Sequence, residues 1–370
     1  MKRNMRFVTL VGGCLALVML VTVSAVGAGQ DGPPAVGVMV KTASAAEQAA
    51  SMQWTAAMRA AAQPMEMSLT PEQLAAGLAM LDQTPSRGLP GYIPGGGPGV
   101  GADEAAAAGF PAVYGGAAEQ VAQLAPSGTA GVYTAFQGNK YAQMWKGFPY
   151  KTVGVLFFTG QGVSYRNTAA VIGDNVTVTA AHAVYDTDNN RWFDNWTFCP
   201  AYKNGSCPYG SYPYTNAYVL TSYVNAPNWA SAIRWDVAIL TLATPGGKSV
   251  DNVVGYMGRA WNQGYNQLIT MIGYPYSSDS GKYSYICMAE TFQMGTDIVE
   301  MGCNGGAGNG GGPWIKDFKP YVLGHATSNL VIGVRSYAYY AGGPKAGNTE
   351  GGVRFSTDNI VILCNAVPNC

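Results

Sequence analysis

Two residues in this chain have side chains that could carry out proton-transfer chemistry. His182 follows the β-like run VTVTAA, and a histidine suits a general base because its pKa lies near neutrality. Asp236 opens the apolar run DVAIL, where a buried carboxylate needs a hydrogen-bonding partner, such as an imidazole that it orients. Each residue also has a plainer interpretation: a structural histidine after a strand, and an aspartate that caps a turn.

A glycine-rich run, GNGGGPW at 308–314, could supply a third component. Glycines let the backbone approach a substrate closely and direct amide N–H groups at an oxyanion. A phosphate-binding loop is excluded, because no Lys-Ser or Lys-Thr pair follows the run.

Together and in this order, the segments resemble the trypsin-like (chymotrypsin-fold) serine peptidases, family S1. The motifs are TAAH at 179–182, DVAIL at 236–240 and GNGGGP at 308–313, similar to the segments around the catalytic histidine, the aspartate and the nucleophile. CN at 303–304 and FPYKTVG at 148–154 resemble the secreted bacterial glutamyl-endopeptidase-like branch. The resemblance covers residues 147–365 and implies an all-β fold of two six-stranded antiparallel β-barrels.

By position, the resemblance assigns roles to individual residues. His182 matches the general base and Asp236 the residue that orients it. The backbone N–H groups of Gly308 and Gly310 match the oxyanion hole. Ser336 matches a serine that hydrogen-bonds the catalytic aspartate, on the strand beside the specificity pocket.

The nucleophile is missing from this pattern. The position of the serine is Gly310, and its neighbours Asn309 and Gly311 have neither hydroxyl nor thiol. Acylation requires a side-chain oxygen or sulfur beside the base, so we expect very low turnover. A disulfide common in relatives is also absent, since its two positions are Ala183 and Asn167.

The specificity pocket departs from the pattern as well. Glutamyl-specific relatives have a histidine immediately before the serine that Ser336 matches, whereas this chain has Arg335. An arginine there could pair with an acidic side chain, or it could be a solvated strand residue, which we favour. The sequence therefore assigns no cleavage preference.

Composition agrees with a β protein. Among 370 residues, 48% are hydrophobic and 11% charged, with 49 Gly and 23 Tyr, which is typical of a loop-rich β fold. Lys plus Arg equals Asp plus Glu at 21 each, so no charge excess favours nucleic acid or an anionic membrane. The sequence contains no CxxC pair of the kind that indicates a zinc site, and we expect no metal and no cofactor.

The N-terminus predicts export. A positive start and an apolar run at 7–26 lead to small residues that permit cleavage after Ala28, which defines a signal peptide at 1–28. We therefore expect a secreted bacterial protein, with an uncleaved membrane anchor or a lipoprotein box at 11–14 as alternatives.

Loss of Cys14 with the signal peptide leaves six cysteines, which in an exported chain indicate disulfides. Six cysteines permit about 15 connectivities. Short spacing favours the pairs Cys199–Cys207, Cys287–Cys303 and Cys364–Cys370.

Residues 29–145 differ in character from the rest, being rich in Ala, Gly and Pro. The sequence predicts an amphipathic helix at 43–63, a capped helix start at TPEQ (70–73) and a linker at 88–101. We interpret this stretch as a prosegment of short helices and flexible links before a peptidase-like domain at 146–370. An N-terminal extension that is never processed is the alternative.

Three functions of different classes follow. The first is a secreted, catalytically inactive or strongly impaired peptidase homologue that binds a peptide or protein in the former substrate cleft. The second is an active serine endopeptidase with an unrecognised nucleophile, and the third is a secreted structural or surface-contact scaffold. We expect no nucleic-acid partner and no membrane association after signal removal, and the oligomeric state stays open.

Overall fold

The computed structural model describes residues 37–81, 84, 86, 88–96, 128–140, 143–320, 327–339 and 345–370. The predicted signal peptide at 1–28, including Cys14, lies outside these residues. Contacts group Val36–Cys370 into one compact unit. None of the helices in the described part of the chain has both the length and the apolar character needed to cross a membrane.

The described elements are mostly strands. The strands are β1 (Val38–Thr42), β2 (Gln63–Pro64), β3 (Ser68–Leu69), β4 (Gly91–Ile93), β5 (Thr134–Gln137), β6 (Val153–Gly160), β7 (Val163–Gly173), β8 (Val176–Thr179), β9 (Tyr185–Asp186), β10 (Arg191–Trp192), β11 (Asp194–Pro200), β12 (Tyr212–Leu220), β13 (Ala238–Leu242), β14 (Gly258–Trp261), β15 (Leu268–Gly273), β16 (Tyr285–Gly295), β17 (Ile298–Gly302), β18 (Pro313–Lys316), β19 (Leu330–Tyr339) and β20 (Thr349–Arg354). The helices are α1 (Ala45–Ser51), α2 (Ala56–Ala61), α3 (Pro71–Met80), α4 (Thr221–Val224), α5 (Trp229–Ala232), α6 (Val250–Val254) and α7 (Ile360–Asn365).

Two antiparallel β-barrels account for most of these strands. The first closes in the order β12-β11-β6-β7-β8-β13 and back to β12. The second closes in the order β18-β15-β16-β17-β20-β19 and back to β18. The predicted fold of two six-stranded barrels is confirmed.

Local sequence explains how the first barrel places its site residues. The strand β8 reads VTVT, and these β-branched residues are all buried, as suits a strand that packs on both faces. Asp174 and Asn175 connect β7 to β8 as a tight turn, in which Asn175 has a φ of 55°. The turn fixes the end of β8 and hence the position of the histidine that follows.

The six cysteines outside the signal peptide form the three disulfides that short spacing favoured: Cys199–Cys207, Cys287–Cys303 and Cys364–Cys370. The second of them ties β16 to the segment after β17, which leads into the glycine-rich run.

The region before residue 146 contributes strands to both sheets. β1 pairs with β12, β4 with β14, and β5 with β16, each antiparallel. The predicted linker at 88–101 was therefore wrong for β4, because the Gly91 backbone pairs with Trp261; residues 97–101 lie outside the described chain. Removal of this region by processing stays a prediction.

The helices of this region follow the sequence more closely. The stretch predicted as one helix at 43–63 forms two short ones, α1 and α2. Helix α3 begins at the predicted capping box: Thr70 Oγ1 accepts from the Gln73 N–H at 3.1 Å, and the Thr70 N–H donates to Gln73 Oε1 at 2.9 Å.

Candidate active site

Two neighbouring strands of the first barrel bring the histidine and the aspartate together. After β8, a 3-10 turn at Ala181–Ala183 carries His182. The strand β13 pairs antiparallel with β8, with Ala238 opposite Thr179. Asp236 lies two residues before Ala238, so this register places its carboxylate beside the histidine turn.

Asp236 is fully buried and accepts three hydrogen bonds. The His182 backbone N–H and ring Nδ1 each donate to it at 2.8 Å, and Ser336 Oγ donates to Oδ2. Because Nδ1 carries the donated proton, the imidazole presents the lone pair of Nε2. This geometry orients a histidine as a general base.

An amide, and not a hydroxyl, faces Nε2. Asn167 is a fully buried residue of β7, and its Nδ2 lies 3.0 Å from His182 Nε2. An amide N–H donates to the ring lone pair at that distance. The atom that would accept the proton of a nucleophile is therefore already engaged.

Gly310 lies against the same two side chains. A Cβ on Gly310 would lie 2.6 Å from Asn167 Nδ2 and 2.6 Å from His182 Nε2, too close for non-bonded atoms. The φ of Gly310 is not in the left-handed region, whereas that of the next residue, Gly311, is 77°. A larger residue at 310 is thus opposed by crowding from Asn167 and His182, which would have to shift, and not by backbone strain.

The glycine-rich run is held by Thr168 of β7. Its Oγ1 donates to the Gly308 carbonyl at 2.9 Å, and its backbone N–H donates to the Gly310 carbonyl at 2.9 Å. No described residue accepts a hydrogen bond from the N–H of Gly308 or of Gly310. Their assignment to an oxyanion hole stays a prediction.

Arg335 corrects one expectation. We favoured a solvated strand residue, but its side chain is fully buried. Its Nη2 lies 2.8 Å from Glu66 Oε1, and its Nε lies 3.4 Å from Glu350 Oε2. A buried guanidinium is stable only when carboxylates balance its charge, which explains why these two acids surround it.

Glu66 belongs to a segment that crosses between the barrels, residues 63–69, which we call the strap. At one end β2 pairs in parallel with Tyr165 and Arg166 of β7, and at the other β3 pairs in parallel with Ala338 and Tyr339 of β19. The strap therefore joins the two barrels directly over the site.

The strap lies against the glycine-rich run and divides the cleft. A Cβ on Gly308 would lie 3.6 Å from Pro64 Cβ. A cavity of about 390 Å³ on one side is lined by strap residues 64–67, His182 and Tyr185. A second cavity, of about 330 Å³, is lined by Glu66, Glu350 and the loop at 303–307.

Two carboxylates and one guanidinium meet around Glu66, so acidic groups outnumber basic ones there. Glu66 and Glu350 share the single guanidinium of Arg335. Burial raises the pKa of Glu66 above its ordinary value; Arg335 acts in the opposite direction, and Glu350 adds to the rise. The side chain of Glu66 is 18% exposed, so it lies at the edge of the buried cluster.

The structure brings His182, Asp236, Ser336 and Gly310 together, while Gly308 lies in the same glycine-rich run and Arg335 precedes Ser336 on β19. The catalytic roles that the resemblance assigned to them stay predictions. Sequence reasoning missed Glu66 and Glu350, and it identified Asn167 only as an unused disulfide position. A polar residue there, coupled with a glycine in place of the nucleophile, is the signal that could have indicated its contact with His182.

Comparisons with known proteins bear on the relationship of the whole chain rather than on single site residues. No family model matches the chain. Glutamyl endopeptidase of Bacillus licheniformis is 27% identical over 134 residues, which are 34% of this chain and 39% of that protein. The protease Anisep of Arthrobacter nicotinovorans is 25% identical, with a TM-score of 0.48 over 60% of this chain and 95% of its own. A thermostable serine protease, AL20, from an extremophilic microorganism is 24% identical, with a TM-score of 0.48 over 59% of this chain and 97% of its own. The sequence match and the two barrels relate the chain to trypsin-like serine peptidases.

Proposed function

We propose that this protein is a secreted trypsin-like peptidase homologue that binds a peptide or protein segment in its cleft without cleaving it. One observation carries the proposal: Asn167 Nδ2 lies 3.0 Å from His182 Nε2, beside Gly310. The general base keeps its orienting acid but contacts an amide where a nucleophile would be required.

The expected catalytic deficit is large. When a member of such a triad is removed, oxyanion stabilisation and binding still give roughly 10³–10⁴-fold catalysis over water, far below an intact enzyme. Here the lone pair of Nε2 is also engaged by Asn167, so His182 cannot readily activate a water in place of the serine. The binding surface, in contrast, needs neither group.

Secretion is part of the proposal. Three disulfides support an oxidising location, since such bonds persist mainly outside the reducing cytosol. The signal predicted at 1–28 would provide the export route.

Labelling with a small fluorophosphonate tests the catalytic part, read by intact-protein mass. The wild-type chain should not react. Gly310→Ser should react slowly, because Asn167 and His182 crowd the new side chain. Gly310→Ser with Asn167→Ala should react faster by roughly 10²-fold, since the new hydroxyl then reaches the free base.

Adding His182→Ala to the double variant is the matched control and should abolish the labelling. His182-dependent labelling of the wild-type chain would overturn the proposal and favour an active hydrolase with another nucleophile. Cleavage of peptides by the wild-type chain, lost in its His182→Ala form, would do the same.

A further inference from the structure

The strap occupies the place where a foreign segment would have to bind. It contacts the barrels as an added strand does, with the Met65 N–H donating to the Arg166 carbonyl at 3.0 Å and the Ala338 N–H donating to the Met67 carbonyl at 3.1 Å. With the strap in place, His182 is 3% exposed. A ligand in this cleft and the strap therefore compete for the same backbone groups.

The strap is less buried in its middle, where two backbone hydrogen bonds and the Glu66–Arg335 ion pair hold it, than at its ends. Ala62 and Leu69, at the two ends, are buried in hydrophobic clusters. Between them Gln63 is exposed, and residues 64–68 are half-buried. The cavities on both sides give the middle of the strap space into which it can move.

We propose that the strap is an exchangeable occupant of the cleft, and that a foreign extended segment binds by displacing it and placing an acidic side chain beside Arg335. This inference rests on the proposed function, since it names the ligand class and the event that admits the ligand. The strap shows the required chemistry: a backbone that pairs as a strand at both ends, and one carboxylate between the apolar side chains of Met65 and Met67. Because the strap is tethered to the protein, its effective concentration at the cleft is on the order of millimolar, and the strap therefore excludes weak ligands.

The experiment uses the full chain and a fluorescent peptide of residues 61–70, AAQPMEMSLT, with binding followed by fluorescence polarisation. Glu66→Lys sets an ammonium against Arg335 and should release the strap. Gln63→Lys adds a lysine at an exposed position of the same strap and is the matched control. The peptide should bind Glu66→Lys at least about tenfold tighter than either wild type or Gln63→Lys, which corresponds to one charged interaction.

Amide hydrogen exchange across 63–69, measured on the same proteins, separates the outcomes. Faster exchange in Glu66→Lys alone, with tighter peptide binding, supports the proposal. Equal peptide affinity for all three proteins, with unchanged exchange, overturns the exchangeable strap but leaves cleft binding intact. Faster exchange without peptide binding to any protein overturns cleft binding itself, and the displacement with it. A peptide with Lys in place of its Glu should bind Glu66→Lys at least about tenfold more weakly; equal binding refutes the acidic-ligand class.

Discussion

The two sides of the His182 imidazole differ. On the Nδ1 side, the contacts needed for a general base are complete: Asp236 accepts from the ring at 2.8 Å and from Ser336 Oγ. On the Nε2 side, an amide of Asn167 takes the place of a nucleophile, and the residue that should bear that nucleophile is Gly310.

This difference indicates that the changes on the Nε2 side form a unit. A serine exchanged for glycine alone would leave a gap beside the base, and interiors are packed too densely to leave such gaps at no cost. Asn167 fills that space and bonds to the ring nitrogen that the serine would have contacted. On the Nδ1 side, the buried carboxylate of Asp236 ties the turn at 181–183 to Ser336 of β19, a structural role that does not depend on turnover.

The largest effect should come from the retained side. Asp236→Ala removes a fully buried acceptor of three hydrogen bonds and leaves their donors unpaired. We expect a loss of about 3–5 kcal/mol in the free energy of unfolding, measured by urea denaturation. Asp188→Ala, at an exposed position, should change it by less than about 0.5 kcal/mol. Similar values for the two variants would show that the Nδ1 side is not structural.

Adjacent glycines of the loop should respond unequally. Gly311 has a φ of 77°, and a Cβ there would collide with Thr179 Oγ1 and the Thr168 carbonyl. Gly311→Ala should destabilise by about 3 kcal/mol, because strain and overpacking add. The nearest neighbours of an added Cβ at Gly310 are side-chain ends, so Gly310→Ala should lower the thermal unfolding temperature less than Gly311→Ala does. The reverse order would contradict the assigned loop conformation.

The coupling between Asn167 and Gly310 sharpens the comparison directly. Gly310→Ser should destabilise by about 1–3 kcal/mol through overpacking. In the Asn167→Ala background the same substitution should cost at least about 1 kcal/mol less, since the crowding amide is gone. A double-mutant cycle in urea measures this difference. Additive changes in the free energy of unfolding would mean that the Asn167 side chain does not crowd a side chain at position 310.

The sequence was sufficient for the parts of the molecule that depend on local pattern. The β-like run VTVTAA predicted the strand β8, and three motifs in order implied both barrels and the contact of His182 with Asp236. Short spacing favoured the observed disulfides. Each of these inferences depends on residues close in sequence or on a motif with fixed spacing.

Contacts across large separations could not be predicted in this way. Glu66 reaches Arg335 from a segment whose composition indicates only short helices and flexible links. The solvated interpretation of Arg335 failed for the same reason, because nothing near it in sequence supplies a carboxylate. The strap gains its extended form from pairing with β7 and β19, which its own residues do not encode.

The smallest effect concerns pH and the strap. The charged or titratable groups facing Glu66 are Arg335, Glu350 and His182, and burial raises the pKa of Glu66 above its ordinary 4.5. With the strap seated in the cleft, Glu66 therefore holds a proton at pH values where it would lose that proton in a released strap. Seating of the strap is fully favoured below the ordinary pKa of Glu66 and weakens as the pH rises through its raised pKa. Hydrogen-exchange protection of residues 63–69, corrected for intrinsic rates, should fall modestly over that range. Glu66→Gln cannot ionise and should remove the slope; an unchanged slope would assign the effect to Glu350 or His182.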